Sequence, residues 1–214
     1  DLSAARVAGG WLLASLTQFD DSTPYVRRTT PAPDGKLAPV RALLGVQVFS
    51  NDGRSEPPRI VSYRARATAG ASLCRLSNER ALLAWTALDQ QRPEVFATLL
   101  GKDGASLMQR VLTKGAGEVT AVAAAPLARG SVVAWIADRD GEARLFAARL
   151  NEDLLRTAPE QRIGSVGGFT ALSLARRGDE AWLFAARRSE REEVLSLTRL
   201  DPKTAARRGD EVPI

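Results

Sequence analysis

Apolar and polar residues in this chain fall into short runs that alternate closer to every second position than to every third or fourth. Phe146, Ala148 and Leu150 fall on one face of such a run and Leu145, Ala147 and Arg149 on the other. Val95, Ala97 and Leu99 stand in the same way against Phe96, Thr98 and Leu100. A period of two is that of a β-strand. Turn signals punctuate the runs, among them Asp103-Gly104, Asp140-Gly141, Gly178-Asp179 and Asp201-Pro202. The alanine-rich stretch from Thr120 to Ala125 has helical propensity. It nevertheless occupies the same slot as Ala71 to Leu76 and Phe169 to Leu174, which have strand character, and it is read as a strand.

The runs repeat. Ala81-Leu82-Leu83-Ala84-Trp85, Ser131-Val132-Val133-Ala134-Trp135 and Glu180-Ala181-Trp182 align, with 50 residues from Trp85 to Trp135 and 47 from Trp135 to Trp182. A second marker follows each tryptophan: Leu100, Leu150 and Leu200 come 15, 15 and 18 residues later, and a longer loop would account for the last gap. A diverged first unit places Ser15 at the tryptophan position and Pro33-Asp34-Gly35-Lys36 at the turn. Each unit parses into four strands, for the third unit 118–125, 130–136, 143–150 and 160–163. A period near 50 with four short strands predicts an all-β fold, a β-propeller of about four blades of four antiparallel strands or a segment of a larger propeller. The expected blades of this single domain, 1–214, are 4–48, 71–116, 117–166 and 167–214, with an inserted hairpin about 46–68. The number of repeats nearly uses up the chain, which favours closure of the four on themselves. The tryptophans are expected to fill the wedges between blades.

Composition changes this picture little. The 214 residues are 44% hydrophobic and 26% charged, ordinary globular usage. No apolar stretch is long enough to span a bilayer. Asp1 in place of an initiator methionine reads as a processed or excised chain. The net charge of +5 would suit a polyanion, yet arginines stand beside acids, as in Asp138-Arg139-Asp140, and the expected partners are other proteins rather than nucleic acid. The single cysteine, Cys74, reads as a small packed residue. The absence of histidine removes Ser-His-Asp and Cys-His catalysis and most transition-metal sites.

The apolar-apolar-Ala-Trp strand, acidic loop, aromatic-bearing strand and Leu-led turn resemble the repeats of uncharacterised secreted β-propeller proteins. The Trp-Asp pairs of WD40 repeats and the Ser-x-Asp-x-Gly-x-Thr-Trp box of sialidases are not found. The resemblance implies a fold, with binding as its common employment.

Ligands of such folds meet the loops at one end of the central channel. The candidate ligand-binding residues there are Asp20, Asp89, Asp138, Asp140 and Glu190. Asp138, Asp140 and Glu142 alternate as calcium ligands do, although a full calcium loop needs more oxygens. No catalytic constellation or cofactor-binding motif stands out, and no cofactor is expected. The leading expectation is a non-catalytic binding or scaffolding module of an extracytoplasmic or envelope-associated assembly. The alternatives are a carbohydrate-active propeller enzyme using channel-mouth carboxylates, and a weak polyanion-binding protein.

Overall fold

Four seams would close a ring of four blades, and three are built among the described residues. The computed structural model describes residues 2–18, 42–62, 65, 69–77, 79–89, 92–139, 141–164, 167–188 and 192–214. They form four antiparallel sheets of four strands each, in simple up-and-down order. The first blade comprises β1 (Leu2–Val7), β2 (Gly10–Gln18), β3 (Ala42–Ser50) and β4 (Arg59–Ser62). The second comprises β5 (Ala71–Arg75), β6 (Arg80–Asp89), β7 (Arg92–Gly101) and β8 (Ser106–Val111). The third has β9 (Glu118–Pro126), β10 (Ser131–Arg139), β11 (Glu142–Leu150) and β12 (Gln161–Ile163). The fourth has β13 (Phe169–Arg177), β14 (Glu180–Arg188), β15 (Glu193–Leu200) and β16 (Arg207–Pro213). The first strands of successive blades, β1, β5, β9 and β13, pack against one another along the inside.

The predicted architecture is thus the observed one, with two corrections. Residues 46–68 are not an inserted hairpin, because Ala42–Ser50 pairs with β2 and Arg59–Ser62 pairs with β3 as the third and fourth strands of the first blade. Its β3–β4 turn is Asn51-Asp52-Gly53, closed by the Ser50 amide donating to the Arg54 carbonyl at 2.8 Å. The turn expected of the first unit, Pro33 to Lys36, lies outside the described residues. The second correction concerns closure. Three buried clusters join blade one to two, two to three and three to four. Among the described residues no such cluster joins blade four to blade one, and both end faces are open, with Trp11 46% and Val212 55% exposed.

Period-two alternation sends neighbouring residues of each strand into different seams. In blade two, Ala81, Leu83, Trp85 and Ala87 pack toward blade one while Leu82 and Ala84 pack toward blade three. Trp85 stacks on its cross-strand partner Phe96 at 4.7 Å, and Trp135 stacks on Phe146 at 6.1 Å. Each aromatic pair packs into the buried cluster shared with the preceding blade. Leu100, Leu150 and Leu200 pair with Ala81, Ser131 and Ala181, a common register.

Trp182 departs from the expected equivalence. Counted from the leucine pairs, the residue matching Trp85 and Trp135 is Ala185, fifteen before Leu200. Trp182 has the opposite parity and points away from blade three. The wider gap before Leu200 is therefore a change of position, with no longer loop behind it. Cys74 lies buried between blades two and three, where desolvation pushes its thiol up to about 12.

Candidate functional site

The inner strands begin at the end of the channel where the second and third strands of each blade turn back. Register decides which acids meet there. The β10–β11 ladder runs to Arg139 opposite Glu142, while β6–β7 runs to Asp89 opposite Arg92. Asp89 is therefore the counterpart of Arg139, and Leu88 that of Asp138. The two aspartates expected at equivalent sites point to opposite faces of their blades. Asp20, Asp140 and Glu190 lie outside the described residues.

The calcium arrangement at 138–142 is corrected for the pair that is described. Glu142 stands opposite Arg139, so it projects from the other face of the sheet from Asp138. Glu142 is instead held by Arg144, with a closest approach of 3.1 Å. No group of three acids, cysteines or histidines able to hold a metal occurs among the described residues.

What the register does bring together is Asp138 and Glu118. A bulge between Ile136 and Ala137 shifts β9 by one residue, so Asp138 pairs with Glu118, the first residue of the innermost strand. Counting back from the β9–β10 turn without the bulge would place Val119 there. Directly opposed residues have Cβ atoms about 5 Å apart on one face. Both side chains are exposed, and they lie on the side of blade three that faces blade four. Across that seam at the same end stands Arg187, opposite Phe169, whose Nε is buried and has no hydrogen-bond partner among the described residues. Two carboxylates and a guanidinium thus flank one seam at the channel mouth.

Neighbouring groups hold this end rigid. Arg139 stacks 3.9 Å over Phe146, reaches Glu160 at 2.7 Å and donates to the Ala116 carbonyl at 3.2 Å, fixing the approach to Glu118. Glu94, buried, accepts from the Thr113 hydroxyl and from the Gly115 amide, and so pins the connector into β9. The sequence reading missed Glu118 and Arg187 because it looked for ligands in loops, whereas these residues sit on strands. Only a bulge invisible to pattern reading aligns Glu118 with Asp138.

A second concavity, an open cavity of about 850 Å³, lies on the outward face of blade four, lined by Trp182, Leu197, Arg199, Asp210 and Val212 among others. Arg177 covers the Trp182 ring at 4.4 Å.

No protein-family model matches the chain, and no curated protein matches it. Nothing therefore ties it to a particular family of secreted repeat proteins. Solved structures do match. Over 99% of this chain and 48% of the other, it superposes on a Bombyx mori β-fructofuranosidase with a TM-score of 0.53 at 12% identity. Over 99% of this chain and 36% of the other, it superposes on Trypanosoma rangeli sialidase in complex with sialic acid, with a TM-score of 0.56 at 10% identity. The chain spans less than half the length of either. Among the described residues no helix is long and apolar enough to cross a membrane. The expectation of a non-catalytic scaffolding module is corrected by these neighbours, named a β-fructofuranosidase and a sialidase. At such identities the likeness is one of architecture: the chain is all-β, its four sheets of four antiparallel strands matching those of β-propellers.

Proposed function

We propose that this chain is part of a carbohydrate-active propeller working outside the cytoplasm, with Glu118 and Asp138 as its carboxylate pair. The observation that carries the reading is their pairing between the innermost strand of blade three and its neighbour, at the channel mouth. Hydrolysis of a glycoside takes two carboxyl groups, one to protonate the leaving oxygen and one to attack the sugar or activate water. Separations of about 5–5.5 Å suit direct attack and a covalent intermediate. Opposed residues in a sheet have Cβ atoms about 5 Å apart, which lets their carboxyl groups reach such a separation. Arg187 supplies a fixed positive charge across the seam for an anionic or hydroxyl-rich substrate. The carbohydrate neighbours support the same reading at the level of fold.

The test is turnover of a panel of aryl glycosides, fructosides and sialosides by the wild-type chain, Glu118→Gln and Asp138→Asn. Loss of a positioned acid or base costs about 10²–10⁴-fold in rate, and each variant is expected to fall by at least the lower figure with its circular dichroism unchanged. Turnover retained in both variants, or no glycoside turned over by wild type, would overturn the assignment.

A further inference from the structure

At the two inner aromatic seams the incoming face of the later blade carries the aromatic bulk, and the outgoing face of the earlier blade is aliphatic. Trp85 and Phe96 share a buried cluster with Ala14 and Val46, and Trp135 and Phe146 share one with Ala84 and Ala97. At the two ends of the arc this distribution is exchanged. The incoming face of blade one has Ser15 opposite Gly45 at the aromatic level, a hollow. The outgoing face of blade four has Phe184 opposite Leu197 at the level of the aliphatic pair, a knob. One level further out, Trp11 and Phe49 stand on the incoming face of blade one, where blade two has Ala81 and Leu100. The outgoing face of blade four offers the cavity beside Trp182 at that level.

Two polar features agree. An arginine of each blade reaches the turn between the third and fourth strands of the next. Arg59 meets Asp103 at 3.7 Å, Arg110 donates to the Asp153 carbonyl at 3.0 Å, and Arg149 donates to the Pro202 carbonyl at 2.7 Å. In blade four the counterpart of Arg149 is Arg199, opposite Trp182 as Arg149 is opposite Val132, and it is exposed. The turn it would meet is Asn51-Asp52-Gly53 of blade one, whose Asp52 carboxylate is exposed and pairs with Arg54 at 3.3 Å. Along the inner strands, the Leu73 amide donates to Ser3 Oγ at 2.8 Å and the Ala124 amide to Ser72 Oγ at 3.0 Å. Ser173 holds the equivalent position in blade four, also exposed, and Ala4 carries the equivalent amide in blade one.

We infer that a second copy of this chain docks head to tail, the outgoing face of blade four against the incoming face of blade one, making a junction built like the internal seams. A contact of this kind joins two different faces, so copies close into a ring or add on according to the rotation it imposes.

Sedimentation velocity over a concentration series tests this. Wild type is expected at two or more times the 23.0 kDa of one chain, falling toward one on dilution. Ser15→Trp fills the hollow and Arg199→Asp repels Asp52; each is expected to weaken association at least tenfold with circular dichroism unchanged. Joining Arg199→Asp to Asp52→Arg is expected to restore association. A wild-type chain that stays at single mass overturns the inference. So does association that survives Ser15→Trp and Arg199→Asp alike, since another surface would then be responsible.

Discussion

At the scale of the residue, the two seam tryptophans differ in one atom's fate. The Trp85 indole donates to the Thr98 hydroxyl at 3.0 Å, whereas the Trp135 indole nitrogen is buried with no partner among the described residues. The cause is a single change, because the position of Thr98, opposite Leu83, is held by Ala148 opposite Val133. An unpaired buried donor costs about 1–3 kcal/mol. Ala148→Thr is therefore expected to stabilise the chain by about 1 kcal/mol, read as a rise in the denaturant midpoint at unchanged slope. Trp135→Ala in the same assay is expected to cost about 3–5 kcal/mol, since its ring is fully buried. A stability lowered by the threonine would mean that the seam has no room for the hydroxyl. The sequence shows both tryptophans plainly. It does not show that Trp182 belongs elsewhere, because a shift of three residues leaves the local Ala-Trp pattern intact while turning the side chain to the other face.

At the scale of the element, turns decide how closely strands may approach. The first two strands of blades one and three are joined through Gly9 and Gly130, with φ of +83° and +81°. A Cβ at Gly9 would meet nothing, whereas at Gly130 it would fall 2.2 Å from the Leu150 carbonyl oxygen. Gly9→Ala is expected to cost about 1 kcal/mol from backbone strain alone, and Gly130→Ala at least about twice that, since the third strand must also move. Thermal melts of the two variants side by side check the difference. The turns between third and fourth strands place Gly53, Gly104, Leu154 and Ala205 at matching left-handed positions. Leu154 and Ala205 tolerate that conformation while buried in the seams. In the third blade, strand identities and most ends were legible from alternation and turn residues. The first blade was misread because its third strand follows residues 19–41, and a unit of fixed length left that strand looking like an insertion.

At the scale of the whole molecule, the repeat count was legible and the number of seams was not. Closure depends on which faces stay uncovered, and the apolar residues of an end face read in sequence like those of an internal one. The candidate carboxylates were hidden for a related reason: Glu118 and Asp138 stand 20 residues apart and meet only through the bulge.

Among the described residues, blades two and three each pack on two neighbours, whereas blades one and four pack on one. In an array coupled only between nearest neighbours, the ends open more readily than the middle. Amide hydrogen exchange of the dilute chain should therefore be slowest in β6, β7, β10 and β11 and faster in β2 and β14, although all six are central strands of their sheets. Uniform protection across them would count against a linear array. The middle seam, between the second and third blades, is then the last part to melt and the natural place for folding to begin.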